Sequence, residues 1–116
     1  MKPETKFWQD VRKIKSEIRW TRLENLSSLG TPDLLGYNNN GVFFTVELKV
    51  TKSNKITISP HQIAFHITHP NNSFILVKAL LTKEVKLYEG SRIQDLVACG
   101  LKLEPCSLGL ESSLKK

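Results

Sequence analysis

The stretch Pro32-Asp33-Leu34-Leu35-Gly36-Tyr37-Asn38-Asn39-Asn40-Gly41-Val42-Phe43-Phe44-Thr45-Val46-Glu47-Leu48-Lys49-Val50 decides how this chain is read. Its middle, Asn38 to Gly41, is a strong turn signal, because Asn and Gly tolerate the left-handed backbone of tight hairpins. Val42 to Val50, directly after that turn, is the clearest strand in the sequence. Side chains alternate across a strand, so Val42, Phe44, Val46, Leu48 and Val50 share one face and Phe43, Thr45, Glu47 and Lys49 the other. The first face is uniformly apolar and is expected to be core. The second carries Glu47 and Lys49 inside an apolar run, and two charges there need a reason.

Register supplies one. A three-residue loop, Asn39-Asn40-Gly41 with Gly41 left-handed, sets Asn38 opposite Val42 and Asp33 opposite Glu47. A two-residue loop at Asn40-Gly41 puts the two carboxylates on opposite faces instead. Adjacent carboxylates repel unless positive charge lies between them. A divalent cation provides it, and hard carboxylate oxygens suit Mg²⁺, which keeps waters and bridges to phosphate. Asp33 and Glu47 are then metal ligands, and the backbone carbonyl of Leu48 adds a further oxygen. Lys49 orients an attacking water or offsets charge on the reacting phosphate. The plainer alternative makes Glu47 and Lys49 the solvated side of an edge strand and Asp33 a turn residue after proline. An E-x-K pattern alone is common.

Outward from the hairpin, Phe7, Val11, Ile14 and Ile18 recur at helical spacing and predict a helix from Pro3 to about Lys15. Ile18 to about Leu23 reads as a first strand, followed by loop chemistry from Ser27 to Pro32. Beyond the hairpin, Ser59-Pro60 opens a second helix to about His69, with Ser59 as N-cap and Pro60 in the first turn. Ser73 to Leu80 is apolar and β-prone. Glu84 to Tyr88 suits a strand paired with it, and Ser91 to Ala98 a short helix ending at Gly100. The order predicts an α/β domain, a mixed central β-sheet flanked by helices with an αβββαβ core. One domain spans residues 1–116, its core about 3–98, and the tail from about 107 to 116 is expected to be loose.

The 116 residues are 40% hydrophobic and 24% charged, which suits a folded domain rather than a disordered one. A net charge of +6 favours anionic partners. Arg12, Arg19, Arg22, Lys52 and Lys55 are candidate phosphate contacts, although any one of them alone is usually a solvated charge. Cys99 and Cys106 fit no metal spacing, and Met1 leads into a charged segment without a signal peptide pattern. No apolar run is long enough to span a membrane. A cytoplasmic protein with free thiols is the expectation.

The motifs Gly30-Thr31-Pro32-Asp33, Phe44-Thr45-Val46-Glu47-Leu48-Lys49-Val50 and Ser59-Pro60-His61-Gln62 together resemble those of the PD-(D/E)xK nucleases. Within that superfamily the chain looks like the archaeal-type Holliday junction resolvases and the VRR-NUC group, which includes small phage-encoded members. Glu47-Leu48-Lys49-Val50-Thr51-Lys52 is the most resolvase-like stretch, and the resemblance runs from about Pro3 to Lys78. It implies a restriction-endonuclease-like core and Mg²⁺-dependent phosphodiester cleavage in branched DNA by a homodimer, with Mn²⁺ as a substitute and no small-molecule substrate. It also implies an acidic residue on the first helix that completes the metal site. Glu4 is the best match and Glu24 its rival, whereas Glu17 lies off the helical stripe. Gln62 matches the glutamine that accompanies the catalytic lysine, and Ser59-x-x-Gln62 is equally a capping box, so one residue can serve both ends.

His66 lies one turn beyond Gln62 on the same helical face and is a candidate DNA contact. His61, His66 and His69 have no cysteine partners at zinc spacing, which argues against a zinc site. Trp8 and Trp20 fall on patterned elements and are expected in the core. Four-way junctions are the expected substrate. The alternatives are a nuclease of the same fold acting on nicks, flaps or replication intermediates, a non-catalytic DNA-binding module, and a small protein-interaction domain.

Overall fold

Tyr37 pairs with Phe43, Gly36 with Phe44, Leu35 with Thr45 and Leu34 with Val46, the register that a three-residue loop dictates. In this computed structural model, which describes residues 3–14, 17–23 and 30–108, Asn38 N–H donates to the Val42 carbonyl at 3.1 Å. Gly41 takes φ +76°, the left-handed conformation that closes such a loop. The Asn38 side chain fixes the turn from inside, its Oδ1 accepting from the N–H groups of Asn40 and Val42.

The elements run in the order α1 (Pro3–Lys13), β1 (Arg19–Arg22), β2 (Leu34–Tyr37), β3 (Phe43–Thr51), α2 (Pro60–Thr68), β4 (Ser73–Ala79), β5 (Val85–Glu89), α3 (Ile93–Cys99) and β6 (Ser107–Leu108). Short 3₁₀ turns, Gly90–Arg92 and Gly100–Lys102, flank α3. The fold is α/β, and the αβββαβ order is present as expected. The six strands lie in sequence order. Every neighbouring pair is antiparallel except β3 and β4, which are parallel and joined through α2.

Helices cover both faces of the sheet. On one, Phe7 and Val11 of α1 pack on Leu34, Phe44, Val46, Leu48, Leu76 and Leu87. Trp8 and Trp20 border that layer, and Trp20 meets Phe44 edge to face. On the other, Ile93 and Leu96 of α3 pack with Ile75, Val77, Tyr88, Ile56 and Ile58. Because β3 and β4 are central, their apolar runs are buried on both sides. This removes the edge-strand alternative for Glu47, which is only 2% exposed.

The C-terminal end differs from expectation at one point. Ser107–Leu108 is not loose but adds a sixth strand, with Leu87 opposite Ser107 and Lys86 opposite Leu108. Cys106 N–H anchors its start on the Leu87 carbonyl at 2.9 Å. The remainder of the tail lies outside the described residues. No helix among the described residues is long and apolar enough to cross a membrane.

Candidate active site

The site forms where β2 and β3 part. Their ladder ends at Leu34 and Val46, so the Leu48 N–H has no backbone partner on β2. The Asp33 side chain takes that place, its Oδ2 accepting from Leu48 N–H at 2.8 Å. On its other side the Asp33 carbonyl accepts from Leu23 N–H at 2.8 Å, which ties the motif loop to the end of β1. A strand residue aims its N–H and C=O toward the same neighbour. The Leu48 carbonyl therefore points into the same gap as Asp33.

Glu47 belongs to the sheet face opposite α1, together with Thr45 and Lys49. Its Oε1 is buried without a hydrogen-bond partner. Its pKa is pushed from 4.5 to about 9, chiefly by burial, then by the hydrogen bond and charge of the Asp33 carboxylate, with Glu4 adding a smaller push and Lys49 opposing. Half-buried Asp33 thus faces buried Glu47, and without a cation Glu47 keeps its proton at neutral pH.

Lys49 Nζ donates to Oε1 of Gln62 at 3.1 Å. Gln62 in turn closes the capping box of α2. Its N–H donates to Ser59 Oγ at 3.2 Å, and its Oε1 accepts from Ser59 N–H at 3.1 Å. Gly30 lets the motif loop lie against this helix start. It takes φ +83°, and a Cβ there would fall 2.3 Å from the His61 carbonyl oxygen. Only glycine permits that approach.

Glu4 stands in the first turn of α1 and lines a small pocket of about 200 Å³ with Lys49, Thr51 and Lys55. It is near enough to raise the Glu47 pKa. Its rival Glu24 lies outside the described residues. Glu17 lines a different hollow, with Arg19 and the Asn38–Gly41 turn at the far end of the hairpin.

The basic candidates divide. Lys55 lines the pocket of Glu4 and Lys49, and exposed Lys52 comes just after the end of β3. Arg19 pairs with Tyr37 and so lies on the Glu47 face, toward the hairpin turn. Arg22 pairs with Leu34 and shares the α1 face, and Arg12 is carried on α1 itself. These two therefore lie on the face opposite the Glu47 side chain.

His66 is not a DNA contact. It is 0% exposed, and its Nδ1 is hydrogen-bonded to Ser73 Oγ beneath α2. Its pKa is lowered to about 4, first by burial and then by His69 and Lys49, so the ring is neutral near pH 7. The helical spacing from Gln62 identified the right face, but that face turns into the sheet. Ser73 was not singled out from the sequence. The available signal was its position at the start of β4, where the parallel register sets it beside Thr45.

Among the described residues no three His, Cys, Asp or Glu side chains gather in one group that could hold a metal. The donor set on offer is the Asp33 and Glu47 carboxylates with the Leu48 carbonyl. The orphaned Glu47 Oε1 and the mutual repulsion of the carboxyls fit a hard divalent cation that retains several waters. No family model matches the chain, and no curated protein matches it in sequence.

Proposed function

We propose that this chain is a Mg²⁺-dependent, structure-selective DNA endonuclease that hydrolyses phosphodiester bonds in branched DNA, acting on four-way junctions as a homodimer. The observation that carries the reading is the Asp33–Glu47 carboxylate pair, half-buried Asp33 facing buried Glu47, at the parting of β2 and β3, with Lys49 next along the Glu47 face. Structural ion pairs neutralise one another, whereas this pair consists of like charges and raises its own cost on ionisation. Such an arrangement is useful when a cation comes with the substrate.

A bound divalent cation would polarise the scissile phosphate and ease ionisation of a water. Asp33, Glu47 and the Leu48 carbonyl are the groups that would hold it, with Glu4 reaching the same site from α1. Lys49, whose ammonium is anchored by Gln62, would orient the attacking water or offset charge on phosphate oxygens. Lys52 and Lys55 come next on the same end of the strand and suit flanking phosphates. Net charge of +6 favours a polyanionic substrate over a small neutral one. A homodimer would set two such sites on the two strands of a junction.

The test is cleavage of four-way, three-way, flapped and linear duplex DNA side by side, with Mg²⁺, with Mn²⁺ and with chelator. Metal-dependent cutting of the four-way substrate in paired nicks is expected. Cutting confined to flaps or nicks would retain the nuclease and change its substrate. Salt-sensitive binding without cutting would make the chain a DNA-binding module, and no binding at all would sink both.

A further inference from the structure

We propose that His66 is a positioning residue for Glu47, holding its carboxylate through one buried water that Thr45 also binds. What Glu47 does in this proposal rests on its role in the nuclease reading.

The placement rests on two independent contacts. Between parallel β3 and β4 the connecting helix α2 runs antiparallel to both strands. Gln62 of α2 stands over Lys49 of β3, as their hydrogen bond shows. One turn further along the helix, four residues advance about 6 Å. Two residues back along β3 cover about 7 Å. The next pair in this succession is His66 over Glu47. The second contact is the hydrogen bond from His66 Nδ1 to Ser73 Oγ. Ser73 is the register partner of Thr45 and lies on the same face. The ring therefore sits between the Glu47 and Thr45 positions of β3.

Three polar atoms on this side of the sheet are buried without a partner: Nε2 of His66, Oε1 of Glu47 and Oγ1 of Thr45. The remaining orphan of this kind among the described residues, Nε1 of Trp20, belongs to the α1 face. A buried water usually makes about three hydrogen bonds to such groups. The donors and acceptors around the water are complementary. Ser73 Oγ–H donates to Nδ1, which leaves the proton of the neutral ring on Nε2. Nε2–H donates to the water, and the water donates to Glu47 Oε1 and Thr45 Oγ1. The depressed His66 pKa agrees with a neutral ring, and Lys49 and His69 are the charged or titratable groups acting on it.

Gly90 closes the arrangement from the β5 side. A Cβ there would lie 2.8 Å from His66 Nδ1 and 2.7 Å from Ser73 Oγ, so the backbone itself backs the pair. The chain thus carries a Ser73–His66–water–Glu47 line under α2 that fixes which way the carboxylate turns. Outer groups of this kind orient metal ligands, and their loss commonly weakens metal affinity or activity by about 10–100-fold.

The experiment measures Mn²⁺ binding by calorimetry and single-turnover cutting of a four-way junction, for the unmodified chain, His66→Phe, His66→Gln and Thr45→Val. Expected are at least tenfold weaker Mn²⁺ binding and slower cutting, by about the range typical of outer groups, in His66→Phe and Thr45→Val, with DNA affinity unchanged. His66→Gln, whose amide N–H reaches the Nε2 position, should recover most of the loss. If the unmodified chain binds Mn²⁺ and cuts while His66→Phe and Thr45→Val match it, the proposal is overturned. Should His66→Phe not fold, Thr45→Val decides alone, since it keeps the shape and removes only the hydroxyl. An unmodified chain that binds no Mn²⁺ and cuts nothing overturns the nuclease reading itself, an outcome separate from equal behaviour of the variants.

Discussion

Oε1 of Gln62 accepts from Lys49 Nζ at 3.1 Å while also accepting from the Ser59 N–H at 3.1 Å, so one oxygen caps α2 and anchors the site lysine. The two tasks are separable by substitution. Gln62→Ala removes both and should cost about 1 kcal/mol of stability, the usual value of such a cap. Gln62→Glu keeps an acceptor for Ser59 and turns the Lys49 contact into an ion pair. It should melt close to the unmodified chain and cut more slowly, because Lys49 is then held by a carboxylate instead of facing phosphate. Melting curves and cleavage rates measured together check this. Cutting by both variants at the rate of the unmodified chain would remove Gln62 from the site.

Glu47→Gln is expected to leave stability unchanged or slightly raised. Without a cation Glu47 carries a proton at neutral pH, and Gln is a neutral copy of that form. If Glu47 holds the cation as proposed, cleavage and Mg²⁺ binding should fall by more than the roughly 10–100-fold typical of outer groups. Asp33→Asn should behave alike, since the amide oxygen can still accept from the Leu48 N–H. Thermal melting with metal titration separates these outcomes from simple unfolding. A large loss of stability in Glu47→Gln would show that the carboxyl is ionised and structurally paired.

Stability without divalent cations should depend on pH through Glu47 and His66 with opposite signs. The folded pKa of Glu47 is raised from 4.5 to about 9, so its contribution is complete below 4.5 and is lost as pH rises through 9. That of His66 is lowered from 6.5 to about 4, so its contribution is present above 6.5 and is lost as pH falls through 4. The two oppose each other between 4.5 and 6.5, and above 6.5 Glu47 acts alone. The urea midpoint is therefore expected to fall steadily from pH 6.5 to 9 and to flatten in Glu47→Gln. Added Mg²⁺ should reverse the slope, because the cation replaces the proton. A flat profile in the unmodified chain would contradict a protonated, buried Glu47 beside Asp33.

The hairpin and its register were legible because they rest on local chemistry. Asn-Asn-Gly sets the loop, the loop sets the pairing, and Asp33 comes opposite Glu47 by counting alone. The capping box at Ser59 and Gln62 was legible for the same reason. What the sequence did not reveal depends on neighbours distant in the chain. Glu47 looked like one residue of a polar face, and only the parallel pairing with β4 and the packing on that side of the sheet show Glu47 itself to be buried. His66 looked like a contact in a cleft because spacing reports which face of a helix a residue lies on, not what that face meets. Ser107–Leu108 reads as polar tail, and it becomes a strand because β5 presents an open edge.

Two glycines with left-handed backbones should respond differently to alanine, and the difference tests how the site is held. Gly41 closes the hairpin at φ +76°, and the nearest atom to an added Cβ is Tyr37 Oη at an ordinary 3.5 Å. Gly41→Ala therefore carries only the conformational penalty, about 1–2 kcal/mol, and should cut normally once folded. Gly30 has φ +83° and, in addition, the His61 carbonyl where its Cβ would go. Backbone on both sides of that contact means something must shift, and what shifts is either the start of α2, which carries Gln62, or the loop, which carries Asp33. Gly30→Ala should lose more stability than Gly41→Ala and should also bind Mg²⁺ poorly at temperatures where it remains folded. Calorimetric Mg²⁺ titration of both variants, with circular dichroism to confirm folding, makes the comparison. Equal Mg²⁺ affinity in the two would mean that the Gly30 approach supports the fold without positioning Asp33.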